Sequence, residues 1–320
     1  MYVEETVIAA MRYVALRYVE GAVPYKSLSK YRLPSSPFCG NVWLNNESQR
    51  YLMKYKLIAV DIDDTLLNRK KEISPLTKAA LLQAQENGVK VAVASGRLPY
   101  GVRPFAKQLE VFRYGGYYMG FNGGAILNSR DELIGKCYLN SKYIEPVYDI
   151  LRPANVTTMV HKGAKIYADN KVNDYTHIES DVIGLPLNVV DDLPSFIDWD
   201  IHKFLIAGDP TELKELEQQL LHALGDEVDI YLSAPWFLEV MPKQANKGEG
   251  LRTICDDAGI DIGDAVAFGD SFNDIFMIKA AGTGVAMGNA EDAVKAVADR
   301  ITDDCDRDGI AKALKELGII

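Results

Sequence analysis

The sequence predicts an α/β fold: a Rossmann-like parallel sheet with helices on both faces, interrupted by an α+β insert. Two observations lead there. Short apolar runs at 57–60 and 265–268, with the same buried-strand pattern at 89–94, alternate with stretches of helical periodicity, as strands buried on both faces and joined by crossover helices require. Between about 124 and 242 this alternation gives way to short hairpin-like strands followed by two helix–strand units.

Residues 1–52 differ in character from the rest of the chain. Val7, Met11, Val14 and Tyr18 recur at helical spacing over 3–19, and 25–46 is rich in Pro, Ser and Asn without periodicity. Two readings stand for this segment. It is an appendage that packs on the body or on a partner, or Met53 is the natural start and the preceding residues are upstream sequence. From 57 the elements come in order: a strand at 57–60, a helix over 75–87 ended by Gly88, strands at 89–94 and 117–121. The insert offers short strands at 125–127, 136–139, 157–161 and 164–168 and a strong helix at 211–224. Helices at 247–258, 272–281, 291–298 and 308–317 and strands at 265–268 and 284–287 complete the set. The expected division is therefore an extension at 1–52, a core formed by 53–123 and 243–320, and an insert at 124–242.

The chain has 320 residues and a net charge of -10, which disfavours nucleic acid as a partner because phosphate backbones reward basic faces. A small anionic substrate stays compatible, since a metal and one lysine make a locally positive pocket. Cys39, Cys137, Cys255 and Cys305 lie far apart without a Cys-x-x-Cys pair, so free thiols and a cytoplasmic location are expected. No apolar run is long enough to span a bilayer, and Glu4, Glu5, Arg12 and Arg17 interrupt any secretory signal.

Open α/β sheets bind ligands at the carboxyl ends of their strands. Here one strand runs into Asp61-Ile62-Asp63-Asp64-Thr65, a second into Ser95-Gly96-Arg97, a third into Gly269-Asp270-Ser271-Phe272-Asn273-Asp274, and Asn246-Lys247-Gly248 opens a helix. Each segment alone is a common turn or cap; their convergence points to phosphoryl transfer. A dianionic ester approaching a carboxylate needs positive charge between them, which magnesium held by Asp61 and Asp270 supplies, with Lys247 as a fixed cation. Ser95 and the Gly96 amide suit phosphate oxygens, and Thr65 lies beside them on the first loop. Asp63 stands two residues from Asp61, so extended backbone points both side chains the same way. Asp61 attacks phosphorus, and Asp63, its pKa raised by neighbouring carboxylates, moves the protons.

The four segments resemble the four motifs of the haloacid dehalogenase superfamily, in the arrangement of its Cof-type (type IIB) phosphatases. The resemblance covers essentially 53–320, including Leu238-Glu239-Val240-Met241-Pro242 and Val285-Ala286-Met287-Gly288-Asn289-Ala290. It implies a nucleophilic Asp61, general acid/base Asp63, and phosphate contacts from Ser95 and Lys247. It also implies magnesium held by Asp61, the Asp63 carbonyl and Asp270, with Asp274 supporting the site. Asp64 departs from the glycine of many relatives, and Ser271-Phe272 from smaller residues.

The interval between Asp61 and Ser95 is too short for a lid, whereas that between Arg97 and Lys247 is ample. Asn122-Gly123-Gly124 and Pro242-Lys243 mark its expected hinges. Arg97, Asn122, Gly123 and Asn273 are candidates for meeting substrate or lid. Within the lid His161, Lys165, Tyr167, His177, His202 and Lys203 either face substrate or serve as surface and hairpin packing; Trp236 and Phe237 read as packing. The expected reaction is hydrolysis of small phosphorylated metabolites, sugar phosphates or phosphorylated cofactors. A phosphomutase using the same aspartyl phosphate is the alternative, and a non-catalytic binding module would lack Asp61, Asp63, Lys247 or Asp270.

Overall fold

Five consecutive residues without a charged side chain before the last, Leu57–Asp61, form strand β1, buried along its whole length. In the computed structural model, which describes residues 54–320, β1 is central to an eight-stranded sheet. Its order is β14 (Arg300–Ile301), β13 (Thr283–Ala286), β12 (Ala265–Gly269), β1, β2 (Lys90–Ala94), β3 (Tyr117–Gly120), β4 (Ala125–Asn128) and β5 (Leu133–Lys136). Pairs from β14 to β3 are parallel; β4 and β5 add antiparallel strands. The helix and irregular segment expected within 1–52, and the start at Met53, lie outside the described residues.

Alternation along the strands sorts the two layers. Ile58, Val60, Val91, Val93, Val266 and Phe268 face helices Pro75–Glu86 and Gly309–Glu316. Leu57, Ala59, Ala92, Ala94, Ala265 and Ala267 face helices Lys247–Ala258 and Ile275–Ala280. The alanines leave room for the second helix pair to lie close to the sheet. Each large side chain buried this way stabilises the fold by about 1.5–3 kcal/mol. Register then aligns the strand ends: Val60 lies opposite Phe268, and Asp61 opposite Ala94. Asp61, Ser95 and Asp270 therefore emerge on one edge.

A second sheet is inserted in the chain between β5 and β12. Its order is β10 (Val228–Ala234), β11 (Phe237–Pro242), β9 (Phe204–Ala207), β6 (Thr157–His161), β7 (Ile166–Ala168) and β8 (Leu187–Val189). Only the β7–β8 pair is parallel. One face packs on helices Ile144–Leu151 and Pro210–Leu224 through Val160, Phe204, Ile206 and Val240. The other face joins Met159, Leu205 and Phe237 to Leu98, Phe121 and Ala125, which belong to the first sheet and its loops.

The structure corrects the expected boundary at 124. β4 and β5 extend the first sheet, because Ala125–Asn128 pairs with β3 directly across a tight turn. The strand expected at 136–139 lies at Leu133–Lys136, with only an isolated Leu139–Ile201 bridge beyond it. The helix expected over 291–298 is one turn, Asp292–Lys295, and 272–281 opens with a 3-10 turn, Phe272–Asp274, before Ile275–Ala280. Cys137, Cys255 and Cys305 are free thiols, and no helix among the described residues is long and apolar enough to cross a membrane.

Candidate active site

Lys247 is the first residue of its helix and has no exposed surface. The preceding Asn246 caps that helix, its side chain accepting from the Glu249 N–H at 3.0 Å. Close approach sets the depth of this helix. A side chain at Gly250 would lie 2.5 Å from Met119 Sδ, and one at Gly123, whose φ is +89°, 2.7 Å from the Asn246 carbonyl oxygen. Gly123 thus seats the lysine helix.

A fully buried ammonium is tolerable only when paired. Lys247 Nζ donates to Asp61 Oδ1 at 2.5 Å and to Asp274 Oδ1 at 2.6 Å. Burial opposes its charge, but Asp274 and Asp61 outweigh that and hold it above the usual lysine range. Asp274 is itself wholly buried, and its Oδ2 accepts from the Asp270 and Ser271 N–H groups at 3.0 and 3.1 Å. Both its oxygens are thereby engaged. Asp270 Oδ1 accepts from the Thr65 hydroxyl at 2.7 Å. The Thr65 hydroxyl thus ties the first loop to the strand end that carries Asp270.

One oxygen each from Asp61, Asp270 and Asp274 falls within a 4.8 Å group. These three carboxylates carry more negative charge than one lysine balances. Burial, with the nearby Asp274 charge, pushes the Asp61 carboxyl well above its usual range against the pull of Lys247. Burial likewise pushes Asp270 up to about 7. An all-oxygen, under-compensated donor set of this kind fits a hard divalent cation such as magnesium. Asp61 and Asp270 would hold it, with Asp274 bracing them.

Asp63 is met by cations, one of which, Lys71, it shares with the Asp64 carboxylate. Its carboxylate takes two hydrogen bonds from Arg97, 2.9 Å from Nε and 2.7 Å from Nη2, and Lys71 Nζ lies 3.8 Å away. Cations face it, and its side chain is 41 % exposed. Arg97 is thus brought to Asp63, the residue expected to move protons. Asp64 adopts φ 56°, the left-handed region that explains why glycine suits this position, and its carbonyl accepts from Asn289 Nδ2 at 2.7 Å. Ser95 is buried, and its Oγ accepts from the Arg97 N–H at 3.1 Å, leaving its own proton to give.

Above these groups lies a cavity of about 450 Å³. Gly96, Asn122 and Asn273 line it from the first sheet, and Asp229, Tyr231 and Glu239 from the insert. Asn122 joins the two sides: it accepts from Asn273 Nδ2 at 3.0 Å and donates to the Tyr231 hydroxyl at 2.8 Å. Lys203 pairs with Glu239 at 2.7 Å, both buried. Of the other lid candidates, His161 is buried against Glu179, and His202 stacks on Phe121 and donates from Nδ1 to the Cys137 carbonyl at 3.0 Å. Tyr167 packs on Phe196 and Trp199, Phe237 is in the core, and Lys165 and His177 are exposed. Sequence reasoning missed Asp229, Tyr231 and Glu239. The available signals were the strict alternation Val228-Asp229-Ile230-Tyr231-Leu232-Ser233 and one carboxylate inside the apolar run 237–242.

The model of the haloacid dehalogenase-like hydrolase family matches residues 58–314. The 5-amino-6-(5-phospho-D-ribitylamino)uracil phosphatase YcsE of Bacillus subtilis (strain 168) is 32 % identical over 269 residues, which cover 83 % of this chain and 97 % of that protein. A haloacid dehalogenase-like hydrolase from Bacteroides thetaiotaomicron superposes with a TM-score of 0.76 at 35 % identity, over 82 % of this chain and 99 % of that one. The subclass IIB sugar phosphatase BT4131 superposes with a TM-score of 0.73 at 27 % identity, over 83 % and 100 %.

Proposed function

Because the chain belongs to the haloacid dehalogenase-like hydrolases and is a phosphatase of that family, we propose that it hydrolyses small phosphate monoesters through an aspartyl phosphate on Asp61, with magnesium as cofactor. One observation carries the proposal. Lys247 holds Asp61 by Oδ1 alone, and no hydrogen bond among the described residues engages Oδ2. A carboxylate oriented at one oxygen and open at the other is prepared to attack.

Asp61 Oδ2 attacks phosphorus while the ester oxygen leaves, taking a proton from Asp63. Asp63 then accepts a proton from water, whose oxygen attacks the acyl phosphate and releases inorganic phosphate and the Asp61 carboxylate. Arg97 holds Asp63 between these steps. Ser95 and the Gly96 amide steady the equatorial oxygens, and Lys247 offsets charge at the nucleophile. Magnesium bound to Asp61 and Asp270 supplies charge neutralisation between the two anions.

The named relatives are phosphatases, which supports hydrolysis over return of the phosphoryl group to a second hydroxyl. Their names point to sugar phosphates and a phosphorylated ribitylaminouracil as the first esters to try. Asp61→Asn should lower kcat by about 10⁴-fold or more while leaving the fold intact by circular dichroism. Beryllium fluoride should add to Asp61 in the wild type and not in the variant, read by mass spectrometry. Retained turnover in Asp61→Asn would falsify the covalent route.

A further inference from the structure

The cavity lined by Gly96, Asn246 and Ser271, the chain neighbours of Ser95, Lys247 and Asp270, has a sign. Asp229 and Glu239 enter it from the insert and Glu291 from the core, and no lysine or arginine lines it. The nearest ammonium groups are already engaged. Lys203 pairs with Glu239 at 2.7 Å and reaches the Gly96 carbonyl at 3.5 Å, and Lys243, whose charge is felt at Asp229, donates to the Asp226 carbonyl at 2.8 Å. Asp229 receives no hydrogen bond from the described residues, and its partial burial pushes its carboxyl upward. A second property is apolar. Phe272 and Phe276 form part of the wall while 62 % and 58 % exposed, an uncommon state for two neighbouring aromatics.

Resting on the hydrolase reading, we infer that the leaving group taken here is an uncharged or amine-bearing polyol, and that esters with a second anionic group are rejected. Hydroxyl or amino donors meet Asp229 and Glu291 in charge-assisted hydrogen bonds. The C–H face of the polyol lies on Phe272 and Phe276, as apolar sugar faces do on aromatic rings. A carboxylate or second phosphate at the same place meets the charges of Asp229 and Glu291, the Lys203 ammonium being already paired with Glu239.

The test compares glucose 6-phosphate and glucosamine 6-phosphate with 6-phosphogluconate and glucose 1,6-bisphosphate, all with magnesium. The first pair should exceed the second by about 100-fold in kcat/KM. Asp229→Lys, and separately Glu291→Lys at an exposed position, should narrow that ratio by about 10-fold, through KM of the anionic esters. Equal turnover of the two pairs by the wild type overturns the inference, as does an unaltered ratio in both variants. Calorimetric binding of the same four esters to Asp61→Asn reads the preference without chemistry. A preference there alongside no turnover by the wild type upholds the pocket and removes the hydrolase reading; turnover without preference does the reverse.

Discussion

Asp64 shows how much one backbone angle decides. Its φ of 56° is sterically disfavoured for residues with a Cβ, least so for Asp and Asn. The neighbouring Asp63 keeps φ near -76°, so the left-handed turn comes directly after Asp63 and is concentrated at one residue. Asp64→Gly should therefore leave stability within about 1 kcal/mol of wild type, whereas Asp64→Val should lose about 1–2 kcal/mol or more. Urea denaturation midpoints of the two variants check this; equal losses would mean the strain lies elsewhere. At this scale much of the site was legible. Asp61, Ser95, Lys247 and Asp270 each come at a strand end or start a helix, which periodicity locates. The partner of Asp63 was not, because Arg97 reaches it only once β1 and β2 are in register.

Elements place what residues cannot place alone. The helix Lys247–Ala258 begins at the buried lysine, so its first turn fixes the Lys247 side chain. Asn246→Ala removes the cap and should lower stability by about 1 kcal/mol. It should also reduce kcat, because a frayed first turn misplaces Lys247; Asn246 lines the cavity as well, so KM changes with it. Chemical denaturation and steady-state kinetics measure the two effects; an unchanged kcat would separate the cap from the lysine. Helix boundaries such as this one were readable because Asn and Gly punctuate them. β5 was not, since Leu133–Lys136 is an edge strand with an exposed and half-buried pattern that lacks alternation. The apolar Cys137-Tyr138-Leu139 drew the expected strand too far along, and with it the boundary of the insert.

For the molecule as a whole, folding and ligand state are linked. If magnesium binds the native carboxylate group, saturating it at about 100 times its dissociation constant should stabilise the protein by about 2.7 kcal/mol. The melting temperature should rise with magnesium, fall back with chelator, and respond weakly in Asp270→Asn. An unchanged melting temperature would count against the site. Acid acts at the junction between the two sheets. Burial holds His202, stacked on Phe121 and bonded to the Cys137 carbonyl, down to about 4. Above about pH 6.5 the imidazole is neutral in both folded and unfolded chains, and no stability is lost. As pH falls from there to 4 the unfolded chain takes a proton that the folded one refuses, so stability drops by about 3 kcal/mol. His202→Phe should flatten that part of the profile. Denaturant midpoints at pH 7 and 4.5 for both proteins decide it, and parallel slopes would rule out this histidine.

Strand β10 has a consequence for descent. Val228 and Ile230 are buried in the insert, whereas Asp229, Tyr231 and Ser233 turn to the cavity. Codons for packing and codons for selection thus alternate along one strand, distant in the gene from Asp61 and Asp270. A duplicated copy can drift at the alternate positions, acquiring a new leaving group by single substitutions, while the reacting carboxylates and the apolar layer beneath stay as inherited.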